Sequence, residues 1–394
     1  VSIVVDGVFG TGFHGELPKR IGSIFEQCDE WRSHSDTRTC IAIDIPSGVN
    51  GLTGSADISS FRADETITLL APKVGMLFYP GRQCVGHMSI GSIGYPFPHH
   101  ALKKSDHNCP ELYWNNADSL YVEPRSPIAH KGTNGHVYIV GGSPGIYGAP
   151  ILSAEGALRS GAGKVTILSG INELDALRSL SRPEMMIRDS SDVEQLDGNS
   201  TVVIGPGGGR SNSEKKHLLQ WIQSVTGNHM VLDADGLIAI ASDLLLLKYR
   251  AYELGKDDYI IVLTPHLGEF SRLIDLSIKW IERHYITLAR EFAKAHQVVL
   301  VLKGIPSVVA LPDGTVYVNT IGNAGMGTGG MGDVLTGVIA GFISQGYSLQ
   351  DSAVLGVYVH SRSADILNDT KAWGYTPSDV STSLGCVISE LLGE

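Results

Sequence analysis

The sequence has no apolar run approaching the roughly 20 residues that a membrane helix needs, so no spanning segment is expected. Its five cysteines, Cys28, Cys40, Cys84, Cys109 and Cys386, are odd in number and show no CxxC spacing. That pattern argues against a zinc ribbon or a paired disulfide framework and fits a reducing cytoplasm. Positive charge is also scarce. Thirty Lys and Arg against 41 Asp and Glu leave a net charge of −11, the wrong sign for a surface that grips nucleic acid or anionic lipid. A Walker P-loop is missing as well. Gly163-Lys164 is followed by Val165, and Leu158 stands where the first glycine belongs. Val1 opens the chain within the strand-like run "VSIVVDGVFG", so residues upstream are expected to be absent and no targeting signal can be judged.

What remains is a chain of 394 residues, 43% hydrophobic and 18% charged, long enough for two or three full cores. Strand-like runs at 1–5, 39–44, 65–70 and 88–93 and a helical stretch near 18–32 make up a first domain over 1–98. Residues 99–125 lose periodicity and gather Pro, His and Asn, and read as a linker. From 126 to 394 a second pattern runs "HVYIVGG", "KVTILSG", "TVVIGPGGG", "HMVLDADG", "YIIVLTPH" and "VVLVLKG". Short β-branched runs separated by helical segments predict a doubly wound, mostly parallel α/β sheet, and "PSVVALPDGTVYVNT" predicts a hairpin turning at Asp-Gly. These runs stop at Gly141-Gly142-Ser143, Gly205-Pro206-Gly207, Asp233-Ala234-Asp235, Thr264-Pro265-His266 and Lys303-Gly304. Ligands of open α/β sheets bind beyond the carboxyl ends of the strands, so these ends define one crevice.

The segment "GNAGMGTGGMGDVLTGVIAG" (322–341) closes that crevice. Apolar residues after Asp333 recur at helical spacing, so a glycine loop enters a helix whose free amides and dipole favour an anion. The plainer reading is a flexible turn with Asp333 as a cap. GxGxxG occurs at 10–15 and at 325–330, which shows how little that pattern decides alone. After the first copy Asp44 lies about 30 residues on rather than the usual about 20, which counts against a hydride-transferring Rossmann domain.

Taken together, "HKGTNGHVYIVGGS", "GPGGG", "DADGL", "TPHLGEF", "LKGIPSVV" and "GTGGMGDVLTGVIAG" resemble, in order, the ribokinase-like NAD(P)H-hydrate dehydratases, the YjeF C-terminal family. The first domain, with "VVDGVFGTGFHGE", "IAIDIPSGVNGLTG" and "ADETITLLAPKVGMLFYPGR", resembles the YjeF N-terminal NAD(P)HX epimerases. That resemblance implies an incomplete Rossmann-like domain followed by a ribokinase-like one. The implied activity is repair of hydrated nicotinamide cofactors, NADHX and NADPHX: the hydroxyl is phosphorylated from ADP or ATP with Mg²⁺, and phosphate is then eliminated. Asp333 is implied as the base. Ala149, Gly207, His266 and Asp333 match contacts to the hydrate, and Lys303, Gly304, Ile305, Pro306, Ser307 and Gly332 match contacts to the adenine nucleotide.

In the first domain Asp6 and Ser47 match ligands of K⁺, and Gly10, Thr11, Gly12, Phe13, His14, Gly15, Glu16 and Asp44 match contacts to the hydrate. The family's Asn-Asn-Gly-Gly-Asp loop is missing from this sequence, so the first domain is expected to lack epimerase activity if these residues are the whole chain and to have an intact site if residues upstream supply the loop. The resemblance also implies a homo-oligomer with small-molecule partners. Two other functions stay open at this point: a small-molecule kinase of the same superfamily, and a non-catalytic nucleotide-binding protein. His266 could be a loop histidine satisfied by backbone, Lys303 a solvated strand flank, and Asp233 and Asp235 loop caps.

Overall fold

The computed structural model describes residues 2–94, 112–191, 196, 200–225, 228–253 and 261–393. It divides into two units, residues 1–109 and 110–394. The expected linker falls partly outside the described residues. Its later part, expected to be only a connection, contributes a strand to the second unit's sheet: Leu112–Trp114 (β5) pairs in parallel with the hairpin strand Val316–Asn319 (β14). Its residues join that sheet because an extended tripeptide on an edge needs only backbone pairing and no apolar pattern of its own.

Unit 1 is a parallel four-stranded sheet, β1 (Ile3–Asp6), β2 (Thr39–Ile43), β3 (Glu65–Leu69) and β4 (His87–Gly91) in that order, with α1 (Lys19–Ser33) between β1 and β2. Its core holds Leu17, Phe25, Cys40, Ala42 and Phe61. Strand β1 reads as a buried run in the sequence, yet it lies on the sheet edge, and Ile3 and Val5 are more than half exposed on the face opposite that core.

Unit 2 carries a ten-stranded sheet. Its parallel strands are β6 (His136–Val140), β7 (Lys164–Ser169), β8 (Met185–Asp189), β9 (Thr201–Ile204), β10 (His229–Leu232), β11 (Ile261–Leu263) and β12 (Val299–Leu302). The antiparallel hairpin β13 (Ser307–Ala310) and β14 follows β12, with its turn at Asp313-Gly314. Strands β6, β9, β10, β11 and β12 are buried along their whole length, apart from partial exposure at His229. This is what a parallel sheet covered on both faces demands of Val- and Ile-rich runs.

The order β5-β14-β13-β12-β11-β10-β9-β6-β7-β8 reverses direction between β6 and β9. The carboxyl ends of those two strands are the topological switch point, where open α/β sheets bind ligands. Helix α2 (Gly148–Arg159) follows β6, and helix α10 (Met331–Ser344) packs along it. Gly156 and Gly337 make that packing close. A Cβ on Gly156 would strike the Val334 carbonyl and one on Gly337 the Ser153 carbonyl. The start of α10 is thereby pinned over the switch point. No helix of the described residues is long and apolar enough to cross a membrane.

Candidate active site

Three neighbouring strands of unit 2 each present one polar residue immediately after their last strand residue. Asp233 follows β10, Thr264 follows β11 and Lys303 follows β12. The Lys303 Nζ donates to Asp233 Oδ1 at 2.8 Å. The Thr336 hydroxyl, on the first turns of α10, donates to Asp233 Oδ2 at 2.7 Å and lies 3.3 Å from the Thr264 hydroxyl. Asp233 is 2% exposed. A Cβ on Gly332 would come 2.9 Å from the Lys303 Nζ, so the ammonium sits against bare backbone one residue before Asp333.

Asp333 occupies the first turn of α10 with its backbone carbonyl receiving the Ser153 hydroxyl at 2.9 Å. Its carboxyl pKa is pushed up to about 7, first by burial and next by the charge of Asp233. Glu269 and Asp235 add to the rise, and Lys303 opposes it. On Lys303, burial pulls the pKa down, but Asp233, Glu269 and Asp333 outweigh it and hold the ammonium charged. His360, on helix α11 (Leu349–Asn368), is buried nearby with Nε2 unpartnered. Burial, then the Lys303 charge, lower its pKa to about 4, so it is neutral.

The predicted residues converge around this core. Gly207 follows β9 at φ +60°, and its carbonyl accepts the amides of Gly142 and Ser143 at 3.0 and 2.7 Å, which ties together the two strand ends at the switch point. A Cβ there would meet the Ile146 carbonyl at 2.5 Å and come within 3.4 Å of Ala149 Cβ, on the first turn of α2. Ala149 and Gly207 thus share one wall, and Ser153, a turn later on α2, reaches Asp333.

His266 caps helix α7 (Leu267–Ile274). Its Nδ1 accepts the amides of Gly268 and Glu269, and Glu269 returns a bond to the His266 amide. The backbone-satisfied reading of this histidine therefore holds for Nδ1, while Nε2 lies 3.5 Å from Glu269 Oε1. A β-bridge joins His266 to Lys303. In the segment Lys303–Ser307, the Ser307 hydroxyl donates to the Gly304 carbonyl at 3.1 Å, Ile305 is exposed, and Gly304 rests against the buried Tyr285 hydroxyl.

Of the loop glycines, 327 and 329 are exposed, and Gly329 has open space where a Cβ would stand, while a Cβ on Gly327 would press on the Ala324 carbonyl at 3.2 Å and Gly330 (φ +99°) abuts Leu152 and Pro377. The loop is held by residues for which the sequence carried no signal. Asp365 of α11 accepts the Gly322 amide and the Asn323 side chain, each at 2.9 Å. Asn323 Oδ1 in turn accepts the Tyr375 hydroxyl at 2.5 Å and the Gly325 amide at 3.0 Å. The Tyr375 ring fills the space a Cβ on Gly325 would take. Asn323→Ala removes this hub. If the crevice takes the adenine nucleotide that the resemblance implies, this is expected to raise its KM about fivefold to twentyfold, roughly the 1–2 kcal/mol of one or two such bonds, with a smaller change in kcat. Steady-state kinetics against nucleotide concentration check it.

In unit 1 the structure brings Asp6 and Ser47 together. The Ser47 amide and hydroxyl both donate to the Asp6 carboxylate at 2.7 Å, and the Phe9 amide donates to Ser47 Oγ at 2.8 Å. Asp44 adopts φ +70° and pairs with Lys73, whose ammonium also reaches Thr68 and the Leu69 carbonyl. A non-glycine residue in that region marks a backbone held in place by its surroundings. Residues Gly10 to Glu16 form a largely exposed loop in which Asn50 touches His14 and the Phe13 carbonyl. Among the described residues no group of three His, Cys, Asp or Glu is arranged to hold a metal ion.

Comparison with known proteins decides the family. The model of the NAD(P)H-hydrate dehydratase family matches residues 137–385, and that of the YjeF-related protein N-terminus matches residues 1–75. The chain belongs to the NAD(P)H-hydrate dehydratase family. A bifunctional NAD(P)H-hydrate repair enzyme from Moorella thermoacetica is 35% identical over 380 residues, covering 92% of this chain and 68% of the relative. The repair enzyme of the same description from Escherichia coli K12 is 34% identical, covering 93% and 67%. Among solved structures, the ADP/ATP-dependent NAD(P)H-hydrate dehydratase of Bacillus subtilis, crystallised with ATP and Mg²⁺, superposes with a TM-score of 0.61 at 27% identity. It covers 71% of this chain and 98% of that one. A ribokinase-like superfamily protein from Enterococcus faecalis gives 0.62 at 26% identity, covering 71% and 96%. The architecture of this dehydratase-family chain is therefore two-domain α/β, with a ribokinase-like second unit.

Proposed function

We propose that unit 2 dehydrates the S form of NADHX and NADPHX, using ADP or ATP as phosphoryl donor. The observation that carries this reading is a half-buried carboxyl, Asp333, held near neutrality in the first turn of a helix whose free amides adjoin a charged lysine. Hydroxide is a poor leaving group, whereas phosphate is a good one, so transfer from an anhydride must precede elimination. Asp333 takes the proton of the substrate hydroxyl as its oxygen bonds to the terminal phosphorus and the nucleotide leaves. The amides entering α10 and the Lys303 ammonium receive the charge spread over the transferring oxygens. The C–O bond then breaks, phosphate departs, and loss of a proton from the neighbouring ring carbon restores the double bond. Ala149, Gly207 and His266 line the hydrate's side of the crevice, and Lys303 to Ser307 with Gly332 line the nucleotide's side.

Mg²⁺ bound to the nucleotide neutralises phosphate charge. The acids here fit a metal that arrives on the phosphates better than a resident one, since Asp233 is already paired and Asp333 is needed as a base.

Incubating the protein with the hydrate, Mg²⁺ and ADP or ATP should restore the near-ultraviolet absorbance of reduced nicotinamide. A stable phosphorylated product without that absorbance would favour a small-molecule kinase instead. Because the base works only when ionised, kcat should rise with pH through about 7, following the raised Asp333 pKa, and a rate profile from pH 5 to 9 checks this.

Unit 1 we read as the epimerase module that interconverts the R and S hydrates. Asp6 Oδ2 and Ser47 Oγ each keep a spare lone pair, while Asp6 Oδ1 already accepts the Val8 amide and the Ser47 hydroxyl; the two oxygens are a donor type that fits K⁺, with further oxygens needed to complete its shell. The Gly10–Glu16 loop and Asp44 would face the hydrate. R-to-S conversion compared in K⁺ and in choline buffers tests both assignments. The epimerase module takes in residues 1–98 and the dehydratase module residues 126–394 together with strand β5 from the later part of the expected 99–125 linker, and the assembly we expect is a homo-oligomer working in the cytoplasm on small molecules alone.

A further inference from the structure

We propose that Asp233 is the positioning residue for the Lys303 ammonium: its buried carboxylate, braced by Thr336, fixes that charge against the bare backbone of Gly332, beside Asp333. The inference rests on the dehydratase reading above and assigns a task within it to a residue that the sequence reads as a loop cap.

The geometry leaves Lys303 little freedom. Its Nζ is 2.8 Å from Asp233 Oδ1 and lies where a Cβ on Gly332 would be 2.9 Å away. The other carboxylate oxygen is taken by Thr336 at 2.7 Å. Thr336 lies one helical turn beyond Gly332, whose carbonyl it also approaches at 2.9 Å. Asp233 thereby connects the tip of β12, through its own place at the tip of β10, to the turn of α10 that carries Asp333. Gly205 lets β9 pass close enough to support this, since a Cβ there would overlap the Asp233 carbonyl.

A buried ion pair is a poor means of stabilising a fold, because desolvation offsets most of the attraction. It is a good means of holding a charge at one point. A lysine needed only for its charge could remain mobile. One that must meet a transferring phosphoryl group gains rate from being in place beforehand, because no reorganisation is then required in the transition state.

The charged groups acting on Asp333 are Asp233 from β10, Lys303 from β12, Glu269 from α7 and Asp235. From α2 the contact is the neutral Ser153, and from α11 His360 stays uncharged. Asp233→Asn removes one of the charges that raise the Asp333 pKa, so the acid limb of the rate profile should move to lower pH.

Wild type, Asp233→Asn, Thr336→Val and Thr336→Ser are compared with hydrate, Mg²⁺ and ADP across pH 5 to 9. Asp233→Asn should lower kcat about thirtyfold, change the nucleotide KM less than threefold, and shift the acid limb to lower pH. Thr336→Val should lower kcat about threefold to tenfold, with Thr336→Ser recovering most of the loss, and adding it to Asp233→Asn should cost little more. An active wild type whose Asp233→Asn variant keeps its kcat, or loses rate through KM alone with an unshifted profile, overturns the proposal. Should Asp233→Asn fail to fold, equal kcat for Thr336→Val and wild type overturns it instead. A wild type with no dehydration counts against the functional reading itself, and in that case the positioning role falls with it.

Discussion

Asp333→Asn should lower kcat for hydrate repair by 10³-fold or more and leave hydrate and nucleotide binding within a few-fold of wild type. General-base catalysis contributes typically 10²–10⁴-fold, and this site offers no obvious substitute. His360 has Nε2 unpartnered, but burial has made it a weak base, with a pKa lowered to about 4. Glu269 is engaged in the cap of α7, Asp235 holds Arg210 and the Gly209 amide, and Asp233 holds Lys303. The substitution keeps the shape of the side chain. It also relieves the crowding of negative charge by Asp233, Glu269 and Asp235 that burial makes costly, so the fold should be no less stable and binding should persist. The check is single-turnover absorbance recovery together with calorimetric titration of ADP. A variant that keeps more than a tenth of the wild-type rate would remove Asp333 from the chemistry, whatever its place in the fold.

How far the site was visible before the structure depended on where each signal lay along the chain. Strands β6, β7, β9, β10, β11 and β12 were legible because a parallel strand buried on both faces must be a near-continuous apolar run, and each stops at a glycine or a polar residue. Asp333 was legible because glycines crowd one loop and a helical period follows directly. Strand β8, "MMIRD", alternates weakly and gave no clear pattern, and β5 lies next to a Pro- and His-rich stretch.

Asp233 could not be read, because its partners Lys303 and Thr336 lie 70 and 103 residues away. Locally "DADG" is indistinguishable from an ordinary turn. The same holds for Asn323, Asp365 and Tyr375, which meet only when α11 and the segment before helix α12 (Pro377–Leu392) fold back on the glycine loop. The tail after residue 368 bears on the site through Tyr375, which holds the glycine loop. "HKGTNG" shows the converse case. It is one part of the family resemblance, yet it precedes β6 and so lies at the amino ends of the strands, away from the carboxyl-end crevice. There the Lys131 carbonyl packs where a Cβ on Gly163 would fall, and the Asn134 carbonyl accepts the Gly163 amide.

The second large effect concerns Lys303. Lys303→Met keeps the length of the apolar stem and removes the charge, leaving the Asp233 carboxyl 2% exposed with Thr336 as its remaining side-chain partner. Removing one member of a buried pair typically costs 3–5 kcal/mol, so unit 2 should melt markedly earlier. Calorimetry identifies its transition as the one that ADP raises in the wild type. Activity should fall 10²–10³-fold, the scale of losing one preorganised donor to a developing oxyanion. The pH profile supplies the distinguishing sign. Lys303 lowers the Asp333 pKa and Asp233 raises it, so Lys303→Met should move the acid limb above its wild-type position while Asp233→Asn moves it below. A lysine that merely flanked the strand in solvent would change neither the melting transition nor the limb, and opposite displacements in the two variants require both charges to act on one carboxyl.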